Sequence, residues 1–442
     1  MRKSYFDQFS GIIIYFFLVL TLAGCTAKDT DKDGIPDDQD KCPTVYAKTK
    51  DGCPLERKIN NVHIYLDNSA SMAGYFQNDA QYKTIVSDVA AKINENIKPP
   101  DIWFIADQAS EYPFSVQQFT SDIATTRIAN RKSSELHKII SEIAAKTGPN
   151  DVSLLVSDCI LSFPDEDVKN NPEINRNEAP NALKENIFTT FSELKKHGFA
   201  TSVFAFESRF YGTYYDYQNV KTVLKGSPRP FYIWVIANKD LLSKFDANLE
   251  DMLTIKPARS LYFGLVEQPV TSCIIVPQLQ RSGEWAKDGS GIGSIVMEKG
   301  QALKFSAVVN LEKLPRYAQD IHYLQDNLKL VTNGCTASFQ VLSKAQADRS
   351  RLKNEKQIMA FENNTDVIVF NVTDMPLPQA SIYMSLPLHY DAWYLDWSTM
   401  NDKNIMSQPD KTFALQYLIS GVEDAYENKN KNYIDFSITL NK

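Results

Sequence analysis

His63-Ile64-Tyr65-Leu66-Asp67-Asn68-Ser69-Ala70-Ser71-Met72-Ala73-Gly74 is the stretch that decides the fold. A short apolar run predicts a strand, and Asp-x-Ser-x-Ser followed by Met-x-Gly leaves it. This sets one carboxylate and two hydroxyls at the carboxyl end of a strand, where open α/β sheets hold ligands. Asp67, Ser69 and Ser71 all offer oxygen, the donor that a hard cation such as Mg2+ takes. The plainer reading is a turn in which Asp67 and the serines bond locally. Outward from this point, strand and helix signals alternate. Val62–Leu66 reads as the first strand, and Tyr82–Ile97 as a helix with Ile85, Val89 and Ile93 on one face. Pro99-Pro100 breaks it before a second strand, Asp101–Ala106. Ser133–Ala145 has helical spacing, Val152–Val156 is a buried strand running into Ser157-Asp158, and Ala182–Lys196 is a helix stopped by Gly198. Thr201–Phe206 and Phe231–Ala237 add strands, and Leu241–Leu249 a last helix. Such alternation predicts a parallel sheet with helices on both faces.

Asp-x-Ser-x-Ser, with its strand before and Met-x-Gly after, resembles the metal-ion-dependent adhesion site of von Willebrand factor type A domains. The resemblance spans residues 59–258. It implies Mg2+ or Mn2+ held by Asp67, Ser69 and Ser71, with two further contributions. One is a hydroxyl before a central helix, where the family has Thr. Ser134 fits by its spacing to Leu136, Ile139 and Ile140, and Ser133 is the alternative. The other is an Asp after the fourth strand, which Asp158 matches, as a ligand directly or through water. In that family a protein partner presents a carboxylate to the ion, and no bond is broken. Two stretches predicted to follow strands at the same edge would tune the partner. They are the polar loop Phe163–Pro180 and the loop Arg209–Gln218, with Tyr211, Tyr214, Tyr215 and Tyr217. Tyrosine-rich loops supply rigid contact area, although these rings would equally serve to pack against a second domain.

The amino terminus reads as a targeting segment. Arg2 and Lys3 precede the apolar run Ile12–Leu20, which is short for a spanning helix, and Leu22-Ala23-Gly24-Cys25 closes it. The ending resembles the lipobox of bacterial lipoproteins. That implies removal of residues 1–24 and lipidation of Cys25, which anchors the chain to a bilayer. Residues 29–43 then read Asp-Thr-Asp-Lys-Asp-Gly-Ile-Pro-Asp-Asp-Gln-Asp-Lys-Cys-Pro. Asp29, Asp31 and Asp33 alternate, Gly34 permits a sharp turn, Asp37 adds a carboxylate and Asp40 closes at the twelfth position. This is an oxygen set suited to Ca2+. With no flanking helices, the segment resembles a thrombospondin type 3 repeat. Export favours disulfides, and Cys42 and Cys53 bracket a loop and are expected to pair. Cys273 is expected to pair with Cys335, and Cys159 to be a buried thiol. Acidic residues behind a lipidated Cys resemble the surface-export signal of Bacteroidota lipoproteins. The expected location is therefore the bacterial cell envelope, at the outer membrane or cell surface.

A chain of 442 residues exceeds one ordinary domain. The formal charge of −7 argues against a nucleic-acid partner, which wants a basic face. Residues 259–442 show short strand signals at Ser260–Val266, Ser272–Val276, Ala302–Leu311, Lys329–Val331, Ser338–Leu342, Val367–Val372, Ala380–Leu386 and Tyr433–Leu440. That spacing predicts a β-sandwich, interrupted by a helical pattern over Thr412–Tyr426. Tyr390, Trp393, Tyr394 and Trp397 read as a core cluster rather than a sugar platform. Gly289-Ser290-Gly291-Ile292-Gly293 reads as a loop. The five His follow no metal-ligand spacing and no Gly-x-Ser-x-Gly elbow occurs. The whole is thus read as a binding protein and not an enzyme. It is α/β, with a doubly wound, mostly parallel sheet followed by a β-rich domain. The expected divisions are 1–24 signal peptide, 25–58 calcium tether, 59–258 A-type domain and 259–442 β-rich domain. The alternative is a hydrolase with its active site in the last of these and the A-type domain as a docking module.

Overall fold

The computed structural model describes residues 29, 32–36, 39–41, 47–53, 57–106, 108–125, 135–161, 169–171, 173–298, 300–427 and 431–442. The chain divides into two compact units, Met1–Glu56 and Arg57–Lys442. Among the described residues no helix is long and apolar enough to cross a membrane.

The second unit is built on a seven-stranded sheet. Its strands are β1 (Asn61–Asp67), β2 (Asp101–Ile105), β3 (Ala109–Glu111), β4 (Asp151–Ser157), β5 (Phe199–Tyr215), β6 (Lys221–Asn238) and β7 (Arg259–Phe263), in the order β3-β2-β1-β4-β6-β5-β7. Strand β1 sits centrally because both its faces are apolar. Val62, Ile64 and Leu66 enter one core and Tyr65 the other. On the first face lie α1 (Gln81–Asn96), α2 (Val116–Thr125) and α5 (Lys239–Met252); on the second lie α3 (Leu136–Lys146) and α4 (Ala179–Lys196). The apolar residues of α1 recur at helical spacing, and Ile85, Val89 and Ile93 are all buried. The sheet is α/β and covered on both faces, as expected, but mixed. Parallel pairing is confined to β2–β1–β4, and β4–β6, β6–β5, β5–β7 and β2–β3 are antiparallel.

The cause is one long hairpin. Strands β5 and β6 pair from Phe199↔Asn238 out to Tyr215↔Lys221. Arg209–Tyr215 is therefore strand, not the Tyr-rich loop expected there. Its Phe210 and Tyr214 point into a core, and pairing with Lys221–Ser227 satisfies the backbone that a loop would leave to water.

Beyond the hairpin, β9 (Glu284–Asp288), β10 (Gly291–Val296), β12 (Lys329–Asn333), β15 (Gln379–Pro387) and β18 (Asn432–Asn441) form one sheet. A second sheet consists of β8 (Ile274–Ile275), β11 (Leu303–Val309), β13 (Thr336–Ser343) and β14 (Asp366–Asp374). The two sheets share one core, with Ile292, Phe305, Phe370, Ile382 and Ile438 among its members, and so make a sandwich. Gly289 turns the β9–β10 hairpin at φ 56°. Among the described residues, the short strands β16 (Ser398–Thr399) and β17 (Thr412–Phe413) pair with each other alone. Residues past 258 do not all serve the sandwich. Strand β7 edges the seven-stranded sheet, and Trp393, Phe413 and the helix Leu415–Tyr426 return to cover its second face. Trp393 and Tyr394 are buried there as core, with Trp393 Nε1 donating to the Ser260 carbonyl (3.2 Å). Cys273 and Cys335 are both free, which corrects the expected pair. Cys273 adjoins β8 in one sheet and Cys335 sits in the turn leaving β12 in the other.

Two buried details carry predictions. Gly421, on the helix Leu415–Tyr426, crosses α4 so closely that a Cβ would stand 2.6 Å from the Lys184 carbonyl oxygen. Backbone cannot yield as a side-chain tip can. Gly421→Val is expected to cost about 1–3 kcal/mol and to lower the melting temperature measured by circular dichroism. Asp246 on α5 is buried, with the Ser202 hydroxyl as a neighbouring donor to its carboxylate. Burial pushes its pKa well above the ordinary range, Ser202 opposing and Glu250 adding to the rise. The native state therefore keeps a proton that the unfolded chain releases near pH ~4. Stability from this group is full below that pH and lost as pH climbs towards the native pKa. Asp246→Asn should raise the melting temperature at neutral pH and leave it unchanged near pH ~3, a comparison that melts across pH check.

Candidate functional site: a buried carboxylate pair at the ends of two parallel strands

The site is assembled by register. Parallel β1 and β4 pair up to Leu66↔Val156, so Asp67 and Ser157 end side by side. The Ser157 hydroxyl donates to Asp67 Oδ2 at 2.7 Å. On the other flank the Asn68 amide donates to the Ile105 carbonyl (3.1 Å), which holds the last residue of the strand in line. The chain then turns. The Ser69 amide donates back to Asp67 Oδ1 (2.9 Å), the Asx geometry that Asp favours. A 3₁₀ turn follows at Ala70–Phe76. The Ser69 and Ser71 hydroxyls stand 3.1 Å apart. Met72 is fully buried, and its Sδ accepts from the Asp158 amide (3.3 Å), which ties this turn to the end of β4. Gly74 has a steric reason: a Cβ would meet the Phe210 ring at 2.4 Å. The Tyr75 hydroxyl donates to the Pro230 carbonyl (2.5 Å).

Asp67, Ser69, Ser71 and Asp158 are thus brought to one place. Ser134 and Ser133 lie outside the described residues. Asp67, Ser69 and Asp158 are buried, while Ala70, Ser71, Ala73 and Ile160 are half-buried at the rim. Asp158 Oδ1 accepts from the Ile160 amide (3.3 Å), but Oδ2, buried, has no hydrogen-bond partner. Burial raises Asp67, against the bonds from Ser69 and Ser157. Burial and then the charge of Asp67 push Asp158 up to about 7, with Ile160, Arg229 and Ser71 opposing. Two carboxylates that disfavour each other's ionisation, ringed by hydroxyls, form an oxygen-only donor set. The unpartnered Oδ2 and that donor set fit a hard divalent cation. Among the described residues no three His, Cys, Asp or Glu side chains converge, so the serines would have to complete any coordination shell.

Sequence reasoning missed three neighbours. Ser157 was readable only once β1 and β4 were known to be adjacent. Tyr82, buried with its hydroxyl unpartnered, begins α1 beside the pair. Arg229, buried between two prolines on β6, carried no local signal. Cys159 is a buried thiol, as expected, receiving the Trp234 Nε1–H at 3.2 Å.

In the first unit, Asp29 accepts from the Lys32 and Gly34 amides (2.7 and 3.0 Å), and Asp33 from those of Ile35 and Ala47 (2.8 and 3.3 Å). Gly34 takes φ 102°, the turn expected of it. Asp33 and Asp40 are buried, and a Cβ on Gly52 would land 1.9 Å from Asp40 Oδ1. Cys53 is disulfide-bonded. Cys25, Asp31, Asp37 and Cys42 lie outside the described residues. In the sandwich, a surface cavity of about 340 Å³ is lined by Lys344, Ala345, Ala347, Arg349, Phe361 and Glu362. Comparison of the chain with protein-family models, with curated proteins and with solved structures finds no match to any of them.

Proposed function

We propose that this protein is a lipid-anchored component of the bacterial cell envelope that binds a protein partner through a divalent cation. Cys25 carries the anchor. Residues 25–58 form a tether in which Asp29, Asp31, Asp33, Asp37 and Asp40 bind Ca2+ and Cys42 pairs with Cys53. Asp67, Ser69, Ser71 and Asp158, joined by Ser134, hold Mg2+ or Mn2+ at the ends of β1 and β4. The cation supplies an electrophilic position for an incoming carboxylate. The protein's own residues fix the oxygen donors and keep water out on the core side. The half-buried rim at Ala70, Ser71 and Ala73 faces the partner.

One observation carries this reading. Asp158 presents a buried oxygen without a hydrogen-bond partner next to a second buried carboxylate. Such an arrangement is costly, and the charge of Arg229 offsets only part of the cost, since Asp158 is still pushed up to about 7. The test is calorimetric titration of the full chain with Mg2+ and Mn2+. Saturable binding is expected in the wild type and none at this site in Asp67→Ala, which removes one ligand and one charge. Absence of binding in the wild type, or equal binding in both, would remove the basis for the proposal.

A further inference from the structure

Strands β5 and β6 outrun the sheet they belong to. Strand β7 pairs with β5 over Thr201–Ala205, and pairing of β4 with β6 ends at Tyr232, so residues 206–231 form a two-stranded ribbon. A ribbon is marginal in water unless one face is covered. Here the inner face is covered. Phe210, Tyr214 and Leu224 are buried, and a Cβ on Gly212 would stand 3.0 Å from the Gly74 Cα. The outer face is open to solvent, with the cross-strand pairs Tyr211↔Lys225, Thr213↔Val223 and Tyr215↔Lys221. Its three β6 residues are exposed, Val223 at 62%, and its three β5 residues are half-buried. Part of this face is preset. Gly226 takes φ 90° at the bulge, and a Cβ there would meet the Tyr211 ring at 2.9 Å, so glycine lets that ring lie across the ribbon. The Tyr211 hydroxyl donates to Asp79 Oδ1 (2.5 Å), and Arg209 Nη1 donates to Asp79 Oδ2 (2.7 Å). The Lys221 ammonium stands 5.6 Å from the centroid of the Tyr215 ring. Among the described residues neither Lys221 nor Lys225 has an ion-pair partner. The chain has 54 Asp and Glu against 47 Lys and Arg, yet these six residues bring two ammonium groups and no carboxylate. A pinned tyrosine beside an exposed valine is the make-up of an interface centre, and a rim of one charge sign selects what binds.

We propose that this outer face docks an extended acidic segment of a protein partner, with carboxylates on Lys221 and Lys225 and an apolar side chain between them on Val223. The spacing follows from strand geometry. Lys221 and Lys225 lie on one face of β6, ~13 Å apart at about 3.3 Å per residue. An extended partner meets them with acidic residues at i and i+4 and an apolar residue at i+2. Tyr211 is held before the partner arrives, so little of its rotamer freedom is lost on docking. The contact needs no metal. It therefore goes beyond the cation-dependent reading and stands or falls apart from it.

The test uses the full chain with labelled valine methyl groups, the Val223 signals being identified by their loss in Val223→Ala. The probe is the peptide Gly-Ser-Glu-Ser-Leu-Ser-Glu-Ser-Gly. A second peptide with Lys for both Glu, and phosphatidylcholine vesicles containing phosphatidylglycerol, are the comparisons, all in chelator at low salt. The acidic peptide is expected to shift the Val223 methyl signals saturably. The double variant Lys221→Glu, Lys225→Glu changes two exposed side chains and should melt with the wild type, yet bind the peptide about tenfold more weakly. No saturable shift, equal affinity in the double variant, or equal binding of the Lys peptide would overturn the proposal. Vesicles bound in preference to the acidic peptide would overturn the assignment to a protein segment. A parallel titration with Mg2+ separates the two readings. A Val223 shift in a chain that binds no Mg2+ supports this docking face and overturns the cation reading, and Mg2+ binding without a Val223 shift does the reverse.

Discussion

A chain cut to residues 59–258 is expected not to fold cooperatively, although that span carries the whole adhesion-type pattern. The cut removes β7 and the helix Leu415–Tyr426, which close the second face of the seven-stranded sheet. Leu261, Phe263, Phe413, Leu415, Leu418, Ile419, Val422 and Tyr426 are all buried in the core they share with Ile187, Phe191 and Trp234. Burying each large apolar side chain contributes about 1.5–3 kcal/mol, and an ordinary domain has only about 5–15 kcal/mol of net stability. Losing eight such contributions leaves nothing over. Polar anchors go as well. Tyr214 and the Tyr217 amide donate to Asp402, and Arg229 donates to Pro409 and Lys411. The measurement is a urea and thermal melt of 59–258 beside 57–442. The longer chain should melt in one cooperative transition and the shorter should show a sloping loss of ellipticity. A sharp transition in the short chain would mean that the second face is covered some other way.

Local signals in the chain could be read from sequence, and contacts between remote segments could not. Strand β1, its polar exit and Asp158 were legible because their signals are local, an apolar run ending in oxygen-bearing side chains. The helix α1 was legible because Ile85, Val89 and Ile93 repeat at 3.6 residues. The helix at the chain's end was also legible as a helix, but not its address. Its apolar face suits any layer, and only the missing cover over Trp234 and Phe191 decides which. The stretch Arg209–Tyr215 hid its strand because Gly212 and the crowded tyrosines imitate a loop. Burial alternates there only once Lys221–Ser227 lies alongside. Arg229 was invisible for a related reason. Its partners Pro409, Lys411 and Tyr214 are remote in sequence from it or from each other, so no window on the chain contains its surroundings.

Replacing Asp158 with Asn should stabilise the cation-free protein and abolish its response to Mg2+. The sign follows from the pKa. Asp158 is pushed up to about 7, by burial first and then by Asp67. A carboxyl whose native pKa is raised contributes stability that is full below its unfolded value, near pH ~4, and lost as pH rises through the native value. At pH ~8 the ionised group destabilises the fold in chelator, because the attraction of Arg229 opposes but does not cancel the cost of burial beside Asp67. Asn keeps an oxygen for the Ile160 amide and removes the charge. Thermal melts in chelator at pH ~8 should therefore place Asp158→Asn above the wild type. With Mg2+ the order should reverse, because only the wild type gains. Asp67 responds differently. Both its oxygens are already taken, by the Ser69 amide and the Ser157 hydroxyl. Asp67→Ala strands those two donors and should lower the melting temperature in chelator, each unsatisfied group costing about 1–3 kcal/mol. Two carboxylates on one site then shift stability in opposite directions without the cation and lose the same response with it. A pair of simple turn caps would give neither the opposite signs nor the shared loss, since Asn caps a turn as well as Asp does.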